Sequence, residues 1–295
     1  MVEETRSPVL AGFDGTEASR AAVRWAAREA SSRGAPLLLV HVLARPFQHS
    51  IPMRIPDEDA VMDKLRNAVL RELDSLEDVC REIDPNLEMS KSMPIGDAAE
   101  SLVELAGDAE LMVLGGPLVG ARTDRLGVTA AEVIARRAAA PIVVVRGEIS
   151  TSADAPVVVG VDGSAVSDRA IGYAFETASR LGRSLVGVHS WGESAFNPFD
   201  VVEEWDADGS EFRDRAREVL AESMAAWAGR YPDVAVRHVV GADQPAQLLL
   251  GEAKNANLLV VGSHGRGAVR RAFLGSVSHA VLNQASCPVA VLPAE

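Results

Sequence analysis

Gly262, Gly265 and the pair Gly275-Ser276 have the spacing that points most directly to chemistry. They follow an apolar run, Leu258 to Val261, which reads as a strand buried on both faces. Beyond Gly275 a helical period takes over through Val277, Ala280, Val281 and Gln284. A strand, a glycine-rich loop and a helix N-terminus together make an anion site. The first turn of the helix carries unpaired N–H groups and the positive end of a dipole, and glycine lets the backbone approach a phosphate. Ser276 is placed to cap that helix and to offer its hydroxyl. Arg266, Arg270 and Arg271 lie in the same loop. On so acidic a chain Arg266 is as readily a phosphate ligand as a solvated side chain, and the other two less so.

The totals narrow what such a site can serve. A net charge of −13 over 295 residues gives neither nucleic acid nor an anionic membrane a global attraction to exploit. An anionic ligand must therefore be held by local donors. The hydrophobic content of 47% suffices for real cores. Cys80 and Cys287 show no metal-ligand spacing and read as buried or half-buried hydrophobes, so nothing calls for an oxidising compartment. The start, Met-Val-Glu-Glu, lacks a basic and then apolar leader, and no run approaches the roughly 20 apolar residues of a membrane span. The expected location is cytoplasmic.

The elements that must position the loop occur twice. Ala11-Gly-Phe-Asp-Gly-Thr16 recurs as Val159-Gly-Val-Asp-Gly-Ser164, and Val40-His-Val-Leu43 as Val188-His-Ser-Trp191. Ala109 to Gly115 recurs as Ala256 to Gly262, and Pro141 to Val145 as Pro288 to Leu292, each roughly 147 residues on. In the first unit strands are expected near 8–13, 37–43, 87–93, 111–115 and 142–146, with helices at 17–33, 59–83, 97–106 and 129–139. In the second, strands are expected near 157–161, 185–190, 234–240, 258–261 and 289–292, with helices at 166–181, 210–230, 244–255 and 276–285. Alternating strands and helices imply an α/β fold: two tandem domains, each a five-stranded parallel sheet with helices on both faces. Strand order 3-2-1-4-5 puts the switch point between the first and fourth strands, where ligands bind beyond the carboxyl ends. The polar, unpatterned stretch 148–155 reads as a linker between domains at 1–147 and 156–295.

The spacing Gly262-x2-Gly265-x9-Gly275-Ser276 is neither the GxxxxGK[ST] phosphate loop nor the GxGxxG dinucleotide fingerprint. It resembles the nucleotide-binding signature of the universal stress protein (UspA) family, Gly-x2-Gly-x9-Gly-Ser/Thr. The resemblance covers nearly the whole chain, and implies two Rossmann-like (adenine nucleotide alpha hydrolase-like) units. It implies ATP or a related adenine nucleotide as ligand, with Mg²⁺ as a candidate companion, and a regulatory or stress-response role rather than a dedicated enzyme. Carried over by position, Asp162 sits by the adenine or ribose, and Val188 and Ser190 face the base. Gly262, Ser263, His264, Gly265 and Arg266 line the ribose and phosphates, and Gly275, Ser276, Val277 and Ser278 hold the phosphate chain. The first unit departs from the signature. Asp14 and Val42 keep the base side, Gly115 and Gly116 follow its fourth strand, and Thr129 keeps the hydroxyl of Ser276. Leu118 and Val128, however, stand where Gly265 and Gly275 should be, and Pro117 removes an N–H. A β-branched side chain is poor at any position needing positive φ. The second unit is therefore expected to bind nucleotide, and the first weakly or not at all. Family members pair through the last strand, which implies an intramolecular pseudo-dimer of the two units and leaves a homodimer open.

Other readings stay open beside these. Asp14 and Asp162 precede Gly-Thr and Gly-Ser and could simply shape a turn, though their recurrence favours a ligand role. His41 and His189 read as satisfied core histidines, and His264 as a pocket wall without a nucleophile or acid spaced to activate it. Trp25, Trp205 and Trp227 read as packing. The acidic stretch from Asp200 to Glu211 reads as a loop over the second helix of its unit. Two rivals to the regulatory module remain: a slow ATP hydrolase or phosphotransferase using the same pocket, and a partner-binding module whose loop is vestigial.

Overall fold

Short apolar runs such as Leu111–Gly115 and Leu258–Gly262 form strands whose side chains are buried on both faces, as central strands of a parallel sheet must be. A computed structural model of the chain describes residues 6–43, 58–116, 133, 139–146, 152, 154–191, 210–265 and 274–294. The chain divides into two compact units, Met1–Val145 and Arg146–Glu295. The first contains β1 (Val9–Gly12), α1 (Glu17–Arg33), β2 (Leu37–Val40), α2 (Glu58–Ile83), β3 (Met89–Ser92), α3 (Ala98–Leu105), β4 (Leu111–Gly115) and β5 (Ile142–Val145). The second contains β6 (Val157–Gly160), α4 (Ala165–Leu181), β7 (Leu185–Ser190), α5 (Ser210–Arg230), β8 (Val236–Gly241), α6 (Pro245–Glu252), β9 (Leu258–Gly262), α7 (Ser276–Gln284) and β10 (Val289–Leu292). The helix expected at 129–139 and most of the expected linker lie outside the described residues.

All pairings within a unit are parallel. In the first unit β1 pairs with β2 and β4, β2 with β3, and β4 with β5, giving the order 3-2-1-4-5. The second unit repeats it, with β6 between β7 and β9, β8 outside β7, and β10 beside β9. The first helix of each unit packs on its sheet through a narrow apolar face: Ala22, Val23, Ala26 and Ala30 in α1; Ala170, Ile171, Ala174, Phe175 and Ala178 in α4. Both helices begin on a hydroxyl cap, Thr16 or Ser164, and end on a left-handed glycine, Gly34 or Gly182. In the second unit Gly172 leaves room for the Trp227 ring between α4 and α5, and Trp227 Nε1 donates to Asp168 Oδ1 at 2.9 Å. Trp25 is buried under α1, and Trp205 lies outside the described residues. Cys80 and Cys287 are buried free thiols. Burial, with the nearby Glu77 charge, pushes the Cys80 thiol up to about 11, and burial pushes Cys287 up to about 12, so neither is a thiolate at neutral pH.

Among the buried differences between the two first helices, one involves charge. In α1 the guanidinium of Arg33 reaches Glu29 Oε1 at 2.7 Å and Glu110 Oε1 at 2.5 Å, with the Arg33 and Glu29 side chains only 6% and 5% exposed. The equivalent residues of α4 are Thr177, whose buried hydroxyl has no partner among the described residues, and the half-buried Leu181. A buried pair gains little over an apolar replacement, but losing one partner leaves a desolvated charge. Arg33→Leu alone is therefore expected to cost about 3–5 kcal/mol in urea unfolding. The double change Glu29→Thr/Arg33→Leu, which copies the second unit, should recover most of that loss. Equal losses in the two variants would show that the pair is not coupled in this way.

Candidate functional site

The crevice arises where neighbouring strands stop pairing. β6 and β9 are in register only as far as Val159 opposite Val260. Past that point Gly160 and Val161 stay with β7, the Val161 N–H donating to Val188 O at 2.8 Å. Gly262 and Ser263 stay with β10, the Ser263 N–H donating to Leu292 O at 2.8 Å. The two chains therefore splay apart at their carboxyl ends, as expected where strand order reverses. The first unit does the same: β1 and β4 part after Ala11 opposite Val113, Phe13 follows Val40, and the Gly116 N–H donates to Val145 O.

On one side of the second crevice stands Asp162. Its Oδ1 accepts the Ser164 N–H at 2.9 Å, and its own N–H donates to Ser167 Oγ at 3.1 Å. Gly163 takes φ 75°, which lets the chain turn into α4 after a single residue. Asp14 is held in the same way, its Oδ1 accepting both the N–H (3.0 Å) and the hydroxyl (2.6 Å) of Thr16, with Gly15 at φ 86°. Both aspartates thus shape the turn, and Oδ2 of the Asp162 carboxylate lies against Gly265 across the crevice. Ser19 and Ser167, buried at equivalent places in both units, complete this turn; their recurrence in the sequence was the signal that could have found them. One residue past β2 or near the end of β7, His41 Nδ1 lies 2.8 Å from Phe13 O and His189 Nδ1 lies 2.6 Å from Val161 O. Each histidine ties the end of its strand to the carbonyl just before the aspartate, the structural role expected of them.

Across the crevice the chain leaving β9 folds back on the start of α7. Ser263 O accepts the Gly275 N–H at 2.8 Å and the Ser278 hydroxyl at 3.1 Å, and the same hydroxyl lies 2.9 Å from Gly275 O. Ser278 and Ser263 are buried, and the Ser278 hydroxyl helps close the loop. Gly275, not Ser276, is the N-cap of α7, and no side chain caps the helix. The reason is space. A Cβ at Gly275 would sit 3.2 Å from Ser263 O and 3.4 Å from His264 Cα, while its φ of −60° suits any residue. Among the described residues, the glycines of this loop are required for close approach and not for positive φ, which corrects the conformational reason expected from the sequence. Ser276 becomes the first helical residue, and the N–H groups of Ser276, Val277 and Ser278 precede the first intrahelical bond, His279 to Gly275 O.

Asp162 and the glycine loop meet. A Cβ at Gly265 would lie 2.6 Å from Asp162 Oδ2, so the carboxylate packs against bare backbone. His264 Nδ1 lies 3.0 Å from Ser263 Oγ. The structure thus brings together Asp162, Gly262, Ser263, His264, Gly265, Gly275, Ser276, Val277 and Ser278. Val188 is buried in its strand with its carbonyl accepting Val161, whereas Ser190 stands at the strand end, its hydroxyl donating to Asp243 O. Arg266, Arg270 and Arg271 lie outside the described residues, as do Pro117, Leu118, Val128 and Thr129 of the first unit and residues 200–209 of the acidic stretch. Ser210 and Glu211 of that stretch already belong to α5. In the first unit Gly115 is pressed by α1 itself, a Cβ there falling 2.5 Å from Ser19 N, while at Gly262 the near neighbour is the Val166 side chain at 2.7 Å. Val42 is half-buried beyond the end of β2. No group of three or more metal-ligating side chains occurs among the described residues, and no helix among them is long and apolar enough to cross a membrane.

Asp14 carries a pH signature. Burial alone would raise its carboxyl, but hydrogen bonds from Thr16 and Ser19 outweigh it and hold the carboxyl below the ordinary value. A depressed folded value adds stability above the unfolded value and loses it as pH falls through the folded one. Asp14→Asn should therefore flatten the acid limb of thermal stability below about pH 4 while leaving its shape near neutrality unchanged. An acid limb as steep as the parent's would mean the turn is not held by the ionised carboxylate.

The universal stress protein family model matches residues 5–146 and again 155–293. The universal stress protein Rv2005c of Mycobacterium tuberculosis is 38% identical over 292 residues, covering 96% of each chain. A universal stress protein of Mycolicibacterium smegmatis is 36% identical over 298 residues, covering 98% of this chain and 97% of its own. Among solved structures, a universal stress protein from Archaeoglobus fulgidus superposes with a TM-score of 0.69 at 19% identity, over 97% of this chain and 98% of that one, a likeness of fold.

Proposed function

We propose that this chain, which belongs to the universal stress protein family, binds one adenine nucleotide in the crevice of its second unit and works as a regulatory stress-response module. The observation that carries the reading is the uncapped start of α7 clasped against the loop that leaves β9. N–H groups of residues 276–278, beside the backbone of the glycine loop, make a seat for phosphates on a chain of net charge −13. Asp162 is the wrong group for a phosphate and the right one for a ribose hydroxyl, which it accepts. It therefore orders the ligand, with sugar toward the end of β6, phosphates toward α7 and the base toward the end of β7. A triphosphate is the form long enough to use both the glycine loop and the helix start, which favours ATP. Mg²⁺ would arrive on the phosphates, with Asp162 the acidic side chain at hand. A chain of this kind acts in the cytoplasm, where occupancy of the crevice would bias the binding of a protein partner.

The first unit is proposed to bind weakly or not at all, because Leu118 and Val128 replace the two glycines whose backbone must meet the phosphates. Calorimetry of the full chain with ATP and Mg²⁺ should give a stoichiometry of one. Gly275→Val, which copies the first unit, should bring side-chain atoms against Ser263 O and cost at least tenfold in affinity, about 1.4 kcal/mol, with the circular dichroism and melting curve intact. A stoichiometry of two would overturn the division of labour. Gly275→Val binding ATP as the parent does would overturn the loop assignment.

A further inference from the structure

The residue that follows β7 differs in kind between the units, although its backbone does the same thing in both. The Leu43 N–H donates to Pro94 O and the Trp191 N–H to Gly241 O, equivalent bonds to the loop beyond the neighbouring strand. Leu43 is buried and bridged to Ile95. Trp191 is only half-buried, and its ring lies on that of Phe212, with centroids 6.1 Å apart and planes 18° from parallel. Phe212, on the first turn of α5, is itself 45% exposed. Two large aromatic rings held face to face at the edge of water bury too little to be explained as core.

Their place in the fold gives them a use. Trp191 is one residue beyond Ser190 and two beyond His189, whose ring is tied to Val161 O beside Asp162. The chain at Trp191 is pinned by Gly241 O, and that at Ser190 by Asp243 O. Trp191 therefore stands on a fixed backbone at the carboxyl end of β7, the strand beside β6, at the end where Asp162 lies. Resting on the nucleotide reading above, we infer that Trp191, backed by Phe212, is the stacking wall for the purine of the bound nucleotide. A flat, electron-rich ring pre-set in orientation recognises the face of a base without reading its edge. This also gives the second unit an aromatic surface that the first, with Leu43 in the same place, does not have.

Calorimetry and tryptophan fluorescence on the full chain test it, with ATP and inorganic tripolyphosphate as probes. In the parent, ATP should quench part of the tryptophan emission and tripolyphosphate should not. Trp191→Leu, the residue of the first unit, should weaken ATP by roughly tenfold, the scale of one base–aromatic stack, and leave tripolyphosphate unchanged. Trp191→Phe should keep most of the ATP affinity and lose the quench, which separates stacking from a folding defect. Trp191→Leu binding ATP as the parent does overturns the wall while leaving the phosphate seat standing. Equal weakening of ATP and tripolyphosphate by Trp191→Leu also overturns it, since the effect would then come from the loop and not the base. A parent that binds neither probe overturns the nucleotide reading, and the wall falls with it.

Discussion

Parallel strands can share a ladder only while both continue in the same direction, and the site depends on where two of them cease to. β6 follows β7 after Val159, and β9 follows β10 after Val260. The backbone groups freed by that parting are not left bare. Val161 and Ser263 each donate to the strand on the far side, so the splay costs little hydrogen bonding and the crevice is a rigid feature of the sheet. Everything nearby is hung from its rims: the aspartate turn from one, the glycine loop and α7 from the other.

The duplication separates what the fold needs from what the site needs. Both units keep the hydroxyl cap, the left-handed glycine, the buried serine under the aspartate turn and the histidine-to-carbonyl tie. Both also keep a serine on the first helix paired with an aspartate before the third strand, Ser31 with Asp84 and Ser179 with Asp233. These contacts join consecutive elements and fix how the first helix lies on the sheet, whatever is bound. The buried charge pair of Glu29 and Arg33 is not kept, being replaced by Thr177 and Leu181 at the same depth. A helix–sheet contact tolerates either solution because each, taken whole, leaves no unpaired charge. The sequences at the crevice mouth also differ, with Leu43 where the second unit has Trp191 and Leu118 and Val128 where it has Gly265 and Gly275.

How much of this could be read beforehand follows from how local each signal is. Elements with a strong period and clear ends were legible to the residue: α1, α5, β4, β7 and β10 span the expected ranges. The strand expected at 37–43 ends at Val40 as a ladder, because the chain beyond it leaves β1 and keeps only the bonds to the side of β3. The cap of α7 misled for a physical reason. A serine before an apolar helical run is a good cap, but here the cap position falls on Gly275, where a side chain would press on Ser263 O. The hydroxyl of Ser278 also closes the loop, and its partner is fifteen residues away, which no local pattern signals. Trp191 and Phe212 are invisible as a pair for the same reason, since nothing in the 20 residues between them signals that their rings meet.

The acidity of the chain bears on selectivity more than on affinity. A surface carrying a net −13 repels polyanions, which gain affinity by displacing counterions over many cationic contacts. Beyond a screening length of about 8 Å in physiological salt that repulsion fades, whereas peptide N–H groups act at hydrogen-bond distance. A short anion can therefore be held where a long one cannot. Asp162 sharpens the choice. Placed against Gly265, its carboxylate disfavours an anion on the β6 side and favours one displaced toward α7, with a hydroxylated group between. A ligand that is neutral and hydroxylated at one end, flat beyond that and multiply anionic at the other answers every part of this arrangement, and inorganic phosphate alone answers only one.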